Sequence, residues 1–322
     1  MRTELFTEEN YREKMNGEVA AWRKEHLQSL RIQSYDGTRI SCWYAIHPDA
    51  RASVVFIHGF TEYTAKYMET LYYFYREGYS VFMADQRGHG RSGRKVPEPE
   101  RVYIRSFDEY VQDLRCLTDR VVRTKEPDKP LFLFGHSMGG CISALFLEAY
   151  PEIFRAAILS SPMLKLTLSN VPDAVVKGLF LFSKIAGWNN RPAPGSAPFP
   201  QEPDFENSCA TSAARYYYHF EEQKRHKAYQ TTSATYAWLR AAVTATEKVR
   251  KNAAKAALPV LVCQAGNDTL VDNSGQDEFV RNAPDAALVR FPTAKHEIYR
   301  STEDVLGVYY STLFRFFERY TF

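Results

Sequence analysis

Short apolar runs alternate with amphipathic segments along most of this chain, and the spacing of the apolar positions separates strands from helices. Residues 30–34 and 39–45 flank Asp36-Gly37, a favoured turn pair, and predict an opening hairpin. Buried-strand candidates follow at 53–57, 80–84, 131–134, 157–160, 260–264 and 288–291. Between them, 67–77 places Met68, Leu71, Tyr72 and Tyr75 on one helical face and stops at Gly78. Ser106 and Glu109 form a capping-box pattern ahead of Phe107, Tyr110, Val111, Leu114, Leu117 and Val121. A last helix from about Glu303 turns Leu306, Tyr309, Leu313, Phe316 and Phe317 inward. Strands and helices alternating in this way predict an α/β fold with a mostly parallel sheet flanked by helices.

One interval breaks the rhythm. About a hundred residues separate the strand ending near 160 from the one starting at 260, where a βα unit needs only a few tens. The interval reads as helices at 175–188, 211–226 and 235–249, with a Pro-rich connector at 191–203. It predicts a helical cap, residues 162–252, inserted into a core made of residues 1–161 and 253–322. A second independent domain fits less well, because the flanking strands complete one alternating pattern.

The 322 residues suffice to bury about three quarters of the unfolded surface. A formal net charge of +3, with Lys and Arg interspersed among Asp and Glu, argues against a nucleic-acid partner. The charged N-terminus lacks the apolar stretch of a secretory signal, and no run of about 18 apolar residues predicts a membrane span. Five scattered cysteines without a CxxC pair suggest reduced thiols rather than a disulfide or zinc framework. Together these lead to the expectation of a cytoplasmic protein.

Candidate chemistry centres on Gly135-His136-Ser137-Met138-Gly139, a G-x-S-x-G pattern. The apolar Leu131-Phe132-Leu133-Phe134 precedes it and a helical segment follows, which is the strand–turn–helix a nucleophile elbow requires. So tight a turn needs very small residues two before and two after the serine. Ser137 is therefore the expected nucleophile, and it needs a base held by a third group. With such an elbow the partners come later in the chain, acid first and histidine second. His296 is the one histidine beyond His226 and lies between the last strand and the last helix, so it is the expected base.

The loop after 260–264 offers two acids, Asp268 and Asp272. Asp268 comes first, where the loop is still at the sheet's carboxyl edge, and is preferred. Asp272 is better placed to cap the next helix. The strand 53–57 runs into His58-Gly59-Phe60, so the backbone N–H groups of Phe60 and Met138 are the expected oxyanion donors. His58 is read as a brace for that loop.

With these residues assembled, the chain resembles the lysophospholipase/monoacylglycerol lipase branch of the α/β-hydrolase superfamily, and most closely the bacterial lysophospholipase L2 type. The resemblance rests on HGFTEYTAKY (58–67), ADQRGHGRSG (84–93), GHSMGG (135–140), AGNDTLVD (265–272) and AKHE around His296. It covers the catalytic core and not the cap. It implies the α/β-hydrolase fold, Asp268 as the triad acid, and no metal or organic cofactor. The QRGHGRS segment, 86–92, is assigned no catalytic role.

The expected activity is serine-dependent carboxylic-ester hydrolysis of a single-chain lipid, lysophospholipid or monoacylglycerol, through an acyl-enzyme on Ser137. A proline iminopeptidase-like peptidase or a C–C bond hydrolase could use the same triad. Glu202, Asp204, Glu206, Glu221 and Glu222 leave an amine-binding cap open. An inactive binding protein of the same fold is a further alternative, disfavoured by retention of every catalytic element. Residues 175–182 are apolar on nearly all sides; we expect that helix to bury against the sheet domain, the alternative being a lipid-facing wall or a peripheral membrane contact. Tyr216, Tyr217, Tyr218 and Phe220 are expected to pack rather than to line a tunnel.

Overall fold

The computed structural model describes residues 4–167 and 173–321. Its strands are β1 (Gln28–Gln33), β2 (Arg39–Ala45), β3 (Ala52–Ile57), β4 (Tyr79–Ala84), β5 (Leu131–His136), β6 (Ala156–Ser160), β7 (Val260–Ala265) and β8 (Ala286–Phe291). They form one eight-stranded sheet in the order β1-β2-β4-β3-β5-β6-β7-β8, in which only β2 runs against the rest. Leu30 pairs with Cys42 in the opening hairpin, and Gly37 takes a φ of +79° in its turn.

Helices α1 (Met68–Arg76), α2 (Asp108–Leu117), α3 (Met138–Ala149), α4 (Asp173–Ile185), α5 (Ala213–Arg225), α6 (Tyr236–Asn252), α7 (Asn273–Asn282) and α8 (Glu303–Glu318) complete the frame. Because strand side chains alternate between faces, the central strands feed two cores. Val55, Ile57, Leu133, Leu159 and Val262 pack with α2, α3, α6 and α7. Val54, Phe56, Phe134, Ile158 and Leu261 pack with α1 and α8 on the other face. The near-continuous apolar strands of the sequence are thus strands buried on both sides. Fully burying one such side chain is worth roughly 1.5–3 kcal/mol.

The Ser106 and Glu109 pattern forms in altered register. Ser106 Oγ accepts the Asp108 N–H at 3.2 Å, and Glu109 reaches back to the Arg105 N–H at 2.9 Å. Phe107 occupies the cap position itself.

The N-terminal segment docks on the second core through a helix over Tyr11–Lys14, a π turn over Met15–Val19 and a helix over Ala20–His26. Phe6, Tyr11, Met15, Val19 and Trp22 are its buried stripe. It also meets α5. Arg215 of α5 is fully buried and donates to both Glu69 carboxylate oxygens, at 3.0 and 2.6 Å, and to Phe6 O at 2.9 Å. Its guanidinium lies over the Tyr11 ring.

β6 and β7 are direct neighbours, Ala157 pairing with Val260, although the long helical interval separates them in sequence. Among the described residues of that interval, Ser233–Ala234 alone is a strand, paired outside the main sheet with Arg101–Val102. α6 lies against α3, with Trp238, Ala242, Ala245 and Val249 in the first core.

α4 departs from expectation. Of its apolar run, the side chains of Val176 and Lys177 lie outside the described residues. Phe180 and Ser183 are buried, but Val175, Leu181, Phe182 and Ile185 stand 57, 61, 55 and 77% exposed. The helix is not buried against the sheet domain: it rests on α6 and on Trp188, which Phe182 meets edge-on, and Val175, Leu181 and Ile185 lie on its exposed side. Most of the tyrosine cluster packs, Tyr218 edge-on to Tyr11, Tyr216 against Phe205 and Phe220 against Phe199, but Tyr217 is exposed. Among the described residues, no helix is long and apolar enough to cross a membrane.

Candidate active site

Ser137 is the hinge between β5 and α3, at φ +53° and ψ −119°. A non-glycine residue rarely adopts this conformation, and holding it costs on the order of 1–3 kcal/mol. The surroundings enforce it: Ser137 N–H donates to Ser160 O at 3.0 Å, and Ser137 O accepts from Met163 N–H at 2.9 Å. The two glycines of the elbow are required by contact. A Cβ on Gly135 would stand 2.5 Å from Gly139 O, and one on Gly139 would stand 2.1 Å from Ile57 O.

His296 arrives on the loop between β8 and α8, and its Nε2 lies 2.8 Å from Ser137 Oγ. Its Nδ1 lies 2.6 Å from Asp268 Oδ2. The three expected residues therefore meet. With the proton on Nδ1, donated to Asp268, the Nε2 lone pair accepts the serine hydroxyl. Burial alone would raise the Asp268 carboxyl, but the bonds from His296 and from the Leu270 and Val271 N–H groups outweigh it and hold the group low. Asp272 lies apart from this cluster, capping α7 through the Ser274 N–H at 2.9 Å and pairing with Lys165.

The Phe60 turn approaches Ser137 from the end of β3. Among the described residues neither the Phe60 nor the Met138 N–H has an acceptor. Phe60 packs against Trp238 of α6, with ring centroids 4.2 Å apart and the planes tilted by 36°. His58 is buried beside the turn, its Nδ1 2.7 Å from Gly59 O and its Nε2 accepting the Gln86 N–H at 2.8 Å. Both ring nitrogens are thus engaged in bracing, and burial lowers its basicity. Burial likewise pushes His136 down to about 4, so this second imidazole, 5.0 Å from that of His296, stays neutral. Arg87 of the QRGHGRS segment is buried in a structural pair with Asp113, both nitrogen–oxygen distances being 2.6 Å, and donates to Glu109.

A cavity of about 390 Å³ opens beside His296, lined by Asn207, Ser208, Thr211, Asn267, Thr293 and Lys295 among others. Among the described residues no group of three or more His, Cys, Asp or Glu side chains could hold a metal ion.

Glu62, Lys66 and Glu297 escaped the reading of the sequence as functional residues. Lys66 Nζ donates to Glu62 at 2.8 Å and also to Glu297, the residue directly after His296. Burial disfavours charge on both carboxyls, yet Lys66 and hydrogen bonds hold both below the usual range. The available signal was spacing, Glu62 three residues past Gly59 and Lys66 one helical turn further.

Comparison with known proteins places the chain in a family. Residues 48–303 match the family described as serine aminopeptidase, S33. Lysophospholipase L2 of Escherichia coli (strain K12) is 30% identical over 227 residues, 70% of this chain. That match spans 66% of the bacterial protein, just under two thirds of its length. Monoacylglycerol lipase of Mycolicibacterium smegmatis is 29% identical over 260 residues, covering 80% of this chain and 85% of its own. Among solved structures, a soluble variant of monoglyceride lipase from Saccharomyces cerevisiae, in complex with a substrate analogue, superposes with a TM-score of 0.73. At 19% identity, over 92% of this chain and 96% of that one, it speaks for the fold.

Proposed function

Since the chain belongs to the serine aminopeptidase S33 family of α/β-hydrolases, we propose that it is a serine-dependent carboxylic-ester hydrolase acting on single-chain lipids, lysophospholipid or monoacylglycerol. The observation that carries this reading is the hydrogen-bonded line from Ser137 through His296 to Asp268, at 2.8 and 2.6 Å.

In the proposed mechanism Ser137 Oγ attacks the ester carbonyl as His296 Nε2 takes its proton, and Asp268 steadies the imidazolium. The Phe60 and Met138 N–H groups receive the developing oxyanion, each worth about 2.7–4 kcal/mol by analogy with similar donors. His296 then protonates the leaving alcohol, and afterwards activates the water that frees the acid. No metal or organic cofactor enters the scheme.

We assign substrate choice to a cap of residues 162–252, with α6 as its root on the core of residues 1–161 and 253–322. The exposed edge of α4 supports peripheral contact with a lipid surface, consistent with a cytoplasmic protein working at a membrane. The lipid substrates named for the relatives support the same class. An aminopeptidase would require a cap carboxylate free to bind an amine beside Ser137. Glu221 is instead tied to Arg12 and Glu222 to Arg225, and Glu202 and Asp204 are exposed; of the five cap acids, Glu206 lines the cavity beside His296 and is the carboxylate an amine substrate would meet.

Fluorophosphonate labelling tests the assignment. A single phosphonyl adduct on Ser137, absent from Ser137→Ala and strongly slowed in His296→Ala, is expected. A wild type that takes no label contradicts it and favours the binding-protein alternative.

A further inference from the structure

Beneath the Phe60 turn lies a line of buried charges that the mechanism above does not use. Glu62 is 3% exposed and its carboxylate is saturated. Oε2 accepts the Gly59 N–H at 2.6 Å and the Tyr67 hydroxyl at 2.5 Å. Oε1 accepts Lys66 Nζ at 2.8 Å and the Tyr299 hydroxyl at 2.6 Å. Lys66 continues the line to Glu297, whose second oxygen accepts from Arg300. Arg300 in turn donates to Arg215 O at 3.1 Å, and the Glu297 N–H donates to Cys209 O at 3.0 Å. Two carboxylates and two cations therefore alternate, leaving no uncompensated charge within the line.

The two ends of this line fall where the proposed reaction demands alignment. Gly59 is wedged between Glu62 and the nucleophile: a Cβ there would stand 2.8 Å from Glu62 Oε2 and 3.1 Å from Ser137 Cβ. The next residue, Phe60, offers the oxyanion N–H. Thr61 after it takes a φ of +65°, so the turn is strained and needs an external hold. The Glu62 carboxylate closes the turn from below by its bond to Gly59. At the other end, Glu297 adjoins His296 in the chain.

We infer that Glu62 and Lys66 are positioning residues, Glu62 aiming the Phe60 N–H by gripping Gly59 and Lys66 locking that turn to the loop that carries His296. This rests on the ester-hydrolase reading. Neither residue touches the ester; both act through the groups they hold. Lys66 has its charge spent on two carboxylates and is nearly buried, which sets it apart from a substrate-binding cation.

The test uses the full chain, a short activated ester, and three variants: Lys66→Met, Lys66→Arg and Glu62→Gln. Active sites are counted with a fluorophosphonate, so that a loss of folded protein is not read as a loss of rate. Displacing a catalytic group by about 1 Å can cost about 10²-fold. Lys66→Met and Glu62→Gln should accordingly lower kcat per titrated site by roughly 10- to 100-fold with KM little changed. Lys66→Arg should restore most of the loss, because it keeps a cation between the two carboxylates. Affinity for a trifluoromethyl ketone, which forms a tetrahedral adduct in the oxyanion hole, should fall in step with kcat/KM. If Lys66→Met does not fold, Glu62→Gln carries the comparison alone. An unchanged kcat per site, a kcat loss without loss of ketone affinity, or a Lys66→Met defect that arginine does not repair overturns the inference. A wild type that neither cleaves the ester nor takes the label overturns the ester-hydrolase reading itself.

Discussion

Nε2 of His296 stands 2.8 Å from the Ser137 hydroxyl oxygen although 159 residues separate the two in the chain. What fixes the imidazole at its other end is Asp268, and not Asp272. The two acids should therefore separate cleanly. Asp268→Asn is expected to lower kcat by about 10⁴, because the histidine loses the partner that selects its tautomer. Asp272→Ala should keep wild-type turnover and cost about 1 kcal/mol of stability through loss of the α7 cap. Steady-state kinetics and urea unfolding of both variants check this.

Arg215 places a charge in the interior with Glu69 as its bidentate partner. Removing one member of such a pair strands the other, at a cost of about 3–5 kcal/mol. Arg215→Met should be destabilised on that scale, and the double variant Arg215→Met/Glu69→Gln should recover part of it. Because the same guanidinium holds Phe6 O, proteolysis near residue 10 should accelerate in the single variant.

Burial pushes the Glu148 carboxyl up from 4.5 to about 8, only weakly opposed by Lys248 and Lys255. Between those two values the folded chain keeps a proton that the unfolded chain releases, so this group's contribution to stability falls as pH rises through that window. Glu148→Gln should remove that dependence. Thermal midpoints of wild type and variant should lie close together near about pH 5 and diverge in favour of the variant near about pH 9.

Leu181, Phe182 and Ile185 form the exposed apolar edge of α4. Replacing all three with serine should lower lipid hydrolysis on anionic vesicles by about tenfold or more and leave a water-soluble ester nearly unaffected. Equal losses on both substrates would mean that the edge packs within the protein during turnover.

The sheet and the approach of Ser137, His296 and Asp268 were legible because they rest on short-range signals. Apolar runs with flanking turns define the strands, and a glycine-framed serine between strand and helix leaves one geometry. The partners then follow from chain order. The exposure of α4 was not legible, since an apolar periodicity tells which face avoids water and not what covers it. The N-terminal dock left a faint mark: Tyr11, Met15, Val19 and Trp22 recur at helical spacing amid charges that mask them. Glu62 and Lys66 were hidden for a different reason. Their partners Tyr299 and Glu297 lie more than two hundred residues away, and only the folded sheet brings them together.

The most direct test is fatty-acid release from a lysophospholipid and a monoacylglycerol of equal chain length, measured beside Ser137→Ala. Release from at least one of them that disappears with the serine hydroxyl is the predicted result, and the ratio of the two rates identifies the preferred head group. No release from either, with a short activated ester still cleaved in a Ser137-dependent way, would contradict the assignment to single-chain lipids while leaving the triad standing.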